Sequence, residues 1–517
     1  MSIENLQCPK CGGDKLIKRG GCRGKQRHSC KDCHWNGTQP VGLESHETAS
    51  IPKAGVDKLS TTVKKASKLV LSCAQNATPI NERFFASLLG YCRHNKAQLL
   101  VIPIRYKNPT SKWSTAAQDD DWWAPELAPY LFDRRVALNQ NLMLLADIKS
   151  QPTASAPTAG FENISGSSSA IVGHPKIELV SIPTPQNRMA KIVTSTGACT
   201  VANYVPSKAG KKGEHHHSFG AVVVELDGSR FHLRHVNAAK NGSFYDLDKH
   251  YSGKNVKSGI RAEALVMGDS HIAQIDPNVV KATFTNKDSM VNVLRPKVLV
   301  WHDVFDGFSI NPHEAKDVFA RYGRRVTGRE SVEKELKECF DFIDKRTPKG
   351  CKAVFPYSNH VDFLRRFVRD TDPRVDLANC VWLAEVFRET CLAIQRGEDL
   401  DPFEYEARRR LKCYSHAKFL KMDESYMVGD VEVGGHGHAG PSGTRGSAKA
   451  FSKMGTKSVT GHSHSPAIIG GAYVVGTSSK LKLSYNQGPS SWLHCHCAVY
   501  PDSKRTLIFV IEGRWRG

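Results

Sequence analysis

The chain has 517 residues, 40% of them hydrophobic, and a mean hydropathy of −0.40, the composition of a globular protein with material for roughly two to four domains. No apolar run approaches the roughly 18 residues of a membrane helix, and the start MSIENLQCPKC lacks the charged-then-apolar pattern of a secretory signal, so an intracellular protein without a membrane partner is expected. Lysine plus arginine number 72 against 51 acidic residues, and the resulting net charge of +21 favours nucleic acid as a partner, though the same excess would also suit a solvated surface.

Fifteen cysteines without a signal sequence point to thiols rather than a disulfide framework. Cys8 and Cys11, then Cys30 and Cys33, form two C-x2-C knuckles around a short basic hairpin. Four thiolates at this spacing close a tetrahedral Zn²⁺ site, and so short a segment has too little core to fold without one. One structural zinc is therefore expected, with His28 the main competitor for a ligand position and Cys22 a bystander. Residues 1–42 resemble the zinc ribbons of transposases and transcription factors, and Lys18, Arg19, Arg23, Lys25, Arg27 and Lys31 could grip phosphates. A purely structural ribbon is the competing reading. Residues 43–66, rich in Ser, Thr, Gly and Lys, read as a linker.

Residues 67–255 form an additional α/β region. KLVLSCAQ, then NERFFASLLGYCRHN with Phe84, Phe85, Leu88 and Leu89 on one side, then AQLLVIPIRY predict a β-α-β unit with parallel strands. Residues 150–172 are dense in Ser, Thr, Pro, Ala and Gly and read as long loops; strands return in GAVVVELDG and RFHLRHV. KAGKKGEHHH reads as an exposed basic turn, because three adjacent histidines cannot face one ion from a regular element. No chemistry is assigned to this region, which leaves room for a groove or a homo-oligomer contact.

Residues 256–517 carry the chemistry. LVMGDSH sets Asp269 and His271 after an apolar run, VLVWHDVFDG sets Asp303 and Asp306 after another, and AVFPYSNHVDF sets Asn359 and His360 after a third. VEVGGHGHAG adds His436 and His438, and GHSHSP adds His462 and His464. Five such clusters at the ends of strand-like runs predict loops gathered on one sheet edge, with oxygen and imidazole ligands that suit Mn²⁺, Zn²⁺ or Fe²⁺. SVEKELKECFDFIDK and ANCVWLAEVFRETCLAIQR predict outer-layer helices, and the strands after GHSHSP predict a second sheet over the core. Cys495 and Cys497 with His494 and His496 are not expected to form another metal site, since strand alternation separates them.

The order GDxH, DxxD, NH, H, GHSH resembles the calcineurin-like metallophosphoesterase superfamily, which includes Mre11-type nucleases. YKNPTS at Tyr106 to Ser111 and GEHHHSFGAVVVELDG extend the likeness to the early host-DNA-degrading nucleases of T5-like phages. The resemblance implies a four-layer α/β/β/α sandwich and two divalent metals, manganese favoured. Asp269, His271 and His464 would hold the first, Asp303 would bridge, and Asn359, His436 and His462 would complete the second. His360 would act beside the scissile phosphate as acid or charge stabiliser, and Asp306 would orient a histidine. Two departures stand out: His302 replaces the usual glycine before Asp303, and Ser358 and Val361 flank Asn359 and His360. His302 could support a ligand from behind or be a satisfied strand-end histidine, and the latter is expected.

The Gly-rich loop His436 to Ser447 offers Arg445 as a phosphate clamp and His438 as a substrate contact, with a flexible surface loop as the alternative. Arg324-Arg325, Arg365-Arg366 and Arg408 to Arg410 could extend a basic groove or equally be solvated helix faces. The function expected is a dinuclear-metal DNase in the bacterial cytoplasm, with a phosphodiesterase for smaller substrates or a DNA-binding scaffold with a degenerate centre as the alternatives.

Overall fold

The computed structural model describes residues 7–22, 25–38, 63, 66–106 and 123–517. The expected linker, apart from Val63 and Ala66, lies outside these residues, as do Arg23 and Lys107 to Ser111. The amino-terminal segment forms a small antiparallel sheet of β1 (Leu16–Cys22), β2 (Lys25–Cys30) and β3 (Asn36–Gly37), with the two cysteine knuckles at its edges.

The β-α-β unit is present. β4 (Lys68–Gln75) and β5 (Gln98–Ile104) pair in parallel, and both are buried almost end to end, as strands covered on both faces must be. Between them runs α1 (Glu82–Asn95), capped by the Asn81 side chain, which accepts a hydrogen bond from the Phe84 amide at 3.0 Å. Its Phe84, Phe85 and Leu88 bury against the sheet beside Val70, Leu99 and Val223. Two further strands, β6 (Arg135–Asn139) and β7 (Leu142–Leu145), follow. The Ser/Thr/Pro-rich stretch supplies β8 (Ser169–Val172), and β9 (Leu179–Ile182) and β10 (Lys191–Ser195) come next.

KAGKKGEHHH is not a turn: Lys208–His216 is a helix, α2, whose N-cap Ser207 accepts from the Gly210 amide at 3.0 Å. The cap and the close approach of Gly210 to the Val205 carbonyl fix the helix despite its polar composition. His217 ends it with Nε2 on the Thr200 carbonyl and Nδ1 at the Tyr204 hydroxyl, hydrogen bonds that occupy both ring nitrogens.

β11 (Gly220–Asp227) and β12 (Arg230–Asn237) form the expected hairpin, with β11 antiparallel to β4. Buried Arg234 lies 2.8 Å from Asp246 and 3.1 Å from Glu225, while Lys68 approaches Glu225 at 2.9 Å and the Tyr91 hydroxyl donates to Asp246 at 2.8 Å. β13 (Phe244–Asp246), β14 (Lys249–Ser252) and β15 (Asn255–Ser258) make a small separate sheet.

The carboxy-terminal half is organised around β16 (Ala264–Val266), β17 (Val298–Val300), β18 (Lys352–Phe355) and β19 (Ala417–Phe419), all parallel in one sheet. The intervening helices are α3 (Val318–Val326), α4 (Val332–Arg346), α5 (Asn359–Asp370), α6 (Cys380–Gln395) and α7 (Pro402–Arg410). After them come β20 (Met427–Val428), β21 (Val431–Glu432), β22 (Lys457–Thr460), β23 (Ala467–Ile469) and β24 (Ala472–Val474). The last strands, β25 (Cys495–Val499) and β26 (Arg505–Phe509), join the β16 sheet in antiparallel fashion rather than the second sheet. Both are buried on both faces, which fits them to a covered sheet.

The second sheet has ten strands in the order β20-β21-β22-β24-β23-β9-β10-β8-β7-β6. β9 meets β23 at Val180 beside Ala467, so one sheet draws strands from both sides of the boundary at residues 255 and 256. Val266, Val300 and Val354 of the six-stranded sheet share a core with Val459, Ile468 and Leu179 of the ten-stranded one. The opposite face of the six-stranded sheet, with Leu265, Leu299 and Ala353, is covered by Leu336, Phe340, Leu364 and Trp382 of the helices. The result is a mixed α/β protein in which a helical layer, a six-stranded sheet and a ten-stranded sheet are stacked. Among the described residues no helix is long and apolar enough to cross a membrane.

Candidate metal centre

Val266, Val300 and Val354 lie side by side on parallel strands, so the loops after β16, β17 and β18 open on the same edge. They carry Asp269 and His271, Asp303 and Asp306, and Asn359 and His360. The loops after β21 and β22 bring His436, His438, His462 and His464 to the same place from the other sheet.

The local backbone is unusual. His271, Asp303, His462 and His464 have φ of 38°, 40°, 71° and 56°, left-handed values that cost a non-glycine residue roughly 1–3 kcal/mol each. Neighbouring loops hold them there: the His271 amide donates to the Asp303 carbonyl at 2.7 Å, and the His462 amide to Asp269 Oδ2 at 2.8 Å. Gly461 permits the second contact, because a Cβ there would stand 2.2 Å from Asp269 Oδ1.

The side chains converge in three groups, within each of which the ligand atoms lie within 4.8 Å of one another: Asp269, His271 and His464; Asp269, His302 and His436; and His271, Asp306 and His360. His464 Nε2 is 2.9 Å from Asp269 Oδ2 and 3.1 Å from His271 Nε2. Asp303 Oδ2 lies 3.0 Å from His436 Nε2 and 3.9 Å from both His271 Nε2 and His360 Nε2, a position between the groups. Asp306 acts on two histidines. Its Oδ1 is 2.9 Å from His271 Nδ1, and its backbone carbonyl, which can only accept, takes the Nδ1 proton of His360 at 2.6 Å.

Several buried polar atoms here have no partner among the described residues: Asp269 Oδ1, Asp303 Oδ1, Asn359 Oδ1, His438 Nδ1, His464 Nδ1 and His302 Nε2. Unsatisfied buried carboxylate oxygens are costly, and grouped among imidazoles they form a donor set that fits divalent cations. The protonation pattern agrees. Burial would raise Asp269, but the neighbouring His436 and a hydrogen bond from His464 bring it to about 2. Burial opposes charge on His271, yet the Asp306 carboxylate raises it to about 9, and Asp303 raises His436 in the same way. These imidazolium charges balance the carboxylates, and bound cations would displace their protons. Burial, reinforced by His436, lowers His302, His438 and His462 to about 4.

His302 is not a satisfied strand-end histidine. It is fully buried, its Nδ1 is 3.2 Å from His436 Nδ1, and its Nε2 has no partner. His462 lies with its ring centroid 5.4 Å from that of His436, and His438 stands 5.5 Å from His436. Arg445 is exposed on the loop and is not among the residues lining the cavity above the cluster. That cavity has a volume of 1720 Å³, and His271, Asp303, Asn359, His360, His462 and His464 lie in its wall. Trp492 also lines it, its ring edge-on to His464 at a centroid distance of 4.1 Å. No sequence motif marked Trp492.

In the amino-terminal segment, Cys8, Cys11, Cys30 and Cys33 converge, with Sγ to Sγ distances of 3.5 Å (Cys8 to Cys33) and 3.6 Å (Cys11 to Cys30). Four ligands at about 2.3 Å in a tetrahedron have edges of roughly 3.8 Å, so this cluster fits a metal ion. His28 is buried on β2 and stands outside the cluster. The carboxy-terminal Cys/His run makes no such group: His496 accepts from the Gly268 amide at 2.9 Å and meets the Thr283 hydroxyl at 3.1 Å, while His494 Nε2 bonds to the Ser479 carbonyl at 2.8 Å.

Fold and centre together define a mixed α/β protein with a metal-competent Asp/His cluster at the ends of parallel strands. No protein-family model matches the chain. It is 30% identical over 492 residues to Protein A1 of Escherichia phage T5, an alignment spanning 91% of this chain and 86% of the phage protein, and it belongs to the family of that protein. Two crystal structures of Chaetomium thermophilum Vps29, one with a RaPID-derived cyclic peptide, align with 38% of this chain and with 98% and 100% of their own. Both are 9% identical with a TM-score of 0.20, too loose a match to define the fold.

Proposed function

We propose that the protein is a dinuclear-metal-dependent DNase hydrolysing phosphodiester bonds, and that, as a relative of a phage protein, it acts in the host cytoplasm. The observation that carries this reading is the set of buried oxygens and imidazole nitrogens, drawn from five loops and unpartnered among the described residues, in and behind the wall of a 1720 Å³ cavity in a chain of net charge +21. Asp269, His271 and His464 would hold one cation. Asn359, His436 and His462 would hold the other, and Asp303 would lie between them. When bound, two such cations withdraw charge from phosphoryl oxygens and acidify water.

The remaining residues position and move protons. Asp306 fixes both His271 and His360, the first with its carboxylate and the second with its carbonyl. With Nδ1 so engaged, His360 turns Nε2 toward the cavity. Burial holds this imidazole below its ordinary value. It therefore takes up a proton only beside an anionic phosphate and releases it readily to a leaving oxygen. The four-cysteine segment would hold a structural zinc, and its exposed Lys18, Arg19, Arg27 and Lys31 would add phosphate contacts.

The test is hydrolysis of plasmid DNA beside a small nitrophenyl phosphodiester, each with Mn²⁺ and across a salt series. A DNase weakens steeply with salt on plasmid. Turnover of the small ester alone, insensitive to salt, would assign the centre to a small-molecule phosphodiesterase, and no turnover of either would leave a DNA-binding scaffold.

A further inference from the structure

The cavity above the centre has two unlike walls. On one side stand Glu314 and Asp317, together with Phe308 and Phe363. Each of these two rings already lies under a guanidinium of the protein, Arg329 at 4.0 Å from Phe308 and Arg366 at 5.0 Å from Phe363. The other side is the segment from Lys480 to Trp492, which presents Lys480, Lys482, Tyr485 and Trp492 to the cavity. Lys480 and Lys482 are exposed and make no ion pair among the described residues. Tyr485 is 57% exposed, and no cation covers its ring among the described residues. Its centroid lies 5.9 Å from that of Trp492, which makes a T-shaped contact with His464. The rings thus step from the open cavity down to the ligand cluster.

This segment is braced. Thr184, in the loop between β9 and β10, exchanges backbone hydrogen bonds with Ser490 at 3.0 and 2.8 Å, and the Gln186 side chain donates to the Asn486 carbonyl. The α/β region, otherwise without a chemical role, therefore holds this wall of the cavity in place.

We propose that the Lys480 to Trp492 segment is the track for a single polynucleotide strand, and that the enzyme prefers single-stranded DNA, cleaving duplex DNA more slowly, where its strands open. This rests on the nuclease reading above and names the substrate form. Bases stack on the exposed ring of Tyr485 and against half-buried Trp492 beside it, and Lys480 and Lys482 take the phosphates; this pairing of an aromatic platform with a cationic rail is how single strands are bound without sequence readout. On the opposite wall Glu314 is paired with Arg324 at 2.7 Å and Asp317 caps α3, and among the described residues the cavity lining there includes no lysine or arginine to take the second backbone that a duplex would bring.

The experiment is fluorescence anisotropy of a labelled short oligothymidine and of a hairpin duplex of the same base count, with Mn²⁺, on full-length Asp303→Asn protein to prevent cleavage. The single strand binds more tightly than the hairpin. Adding Tyr485→Ala weakens single-strand binding roughly 5- to 150-fold, the loss of one stacked base. Lys480→Ala with Lys482→Ala flattens the salt slope by roughly 1.4, about 0.7 per released phosphate contact. Equal affinity for both forms, or single-strand binding unmoved by Tyr485→Ala, overturns the track, as does absence of single-strand binding. Because binding is read on a cleavage-dead chain, this failure is separate from that of the nuclease reading, which is decided by whether the wild type cleaves.

Discussion

Asp306 accepts the Nδ1 proton of His360 on its backbone carbonyl, at 2.6 Å. Since a carbonyl cannot donate, this contact fixes the tautomer of neutral His360 and leaves Nε2 facing the cavity. The same residue uses its carboxylate, 2.9 Å from Nδ1 of His271, for a different purpose. Asp306→Asn separates the two tasks. The variant keeps the carbonyl for His360 and loses the charge behind His271, so Mn²⁺ affinity, read by titration calorimetry, falls roughly 10- to 100-fold.

His302 supports His436 from the side away from Asp303, with ring nitrogens 3.2 Å apart. In His302→Ala the His436 ring loses that partner, and one cation is bound roughly 10- to 100-fold more weakly while the other is retained. Metal analysis after dialysis against dilute Mn²⁺ reads this directly. Unchanged content in both cations would show that His302 is a passive core residue.

Glu335 gives a pH signature outside the centre. It is buried beneath the Ser309 loop, and although it accepts from the Phe308 and Ser309 amides and the Ser309 hydroxyl, burial raises it from 4.5 to about 7. The folded state therefore holds this proton more tightly than the unfolded chain. Its contribution is fully present below pH 4.5 and is lost as pH rises through about 7. Urea midpoints measured across this window fall with rising pH in the wild type, and Glu335→Gln reduces that slope by up to roughly 3 kcal/mol over the window, at about 1.4 kcal/mol per unit.

The buried Arg234 is surrounded by Asp246 and Glu225. Burial would raise Glu225, but Arg234 pulls it down to about 2, so its contribution is present above 4.5 and is lost as pH falls through about 2. Arg234→Ala leaves Asp246 without its cation and Glu225 with Lys68 alone, and destabilises the chain by roughly 3–5 kcal/mol at neutral pH, with Mn²⁺ affinity unchanged. A loss below about 1 kcal/mol in urea unfolding would contradict the compensation described.

What the sequence made legible was local. The apolar runs before Asp269, Asp303 and Asn359 announced strands, and the polar residues just after them announced a shared edge. Nothing local announces that Val180 pairs with Ala467, because that contact joins segments far apart in the chain. The role of the α/β region was hidden with it. His302 was misjudged because a strand-end histidine looks satisfied until the ring opposite it, here His436, is known. Trp492 and Tyr485 lie in no motif, and only the cavity gives their position meaning. In KAGKKGEHHH the basic composition suggested a turn, whereas the Ser207 cap and the glycine contacts set a helix.

The most direct test is a time course of the purified protein on supercoiled and linear plasmid with Mn²⁺, beside EDTA and the His360→Ala variant. Degradation is expected that EDTA abolishes and that His360→Ala slows roughly 10²- to 10⁴-fold, the range for loss of a positioned acid. DNA left intact with Mn²⁺, Mg²⁺ and Zn²⁺, or cleaved equally well by His360→Ala or in EDTA, would contradict the nuclease reading.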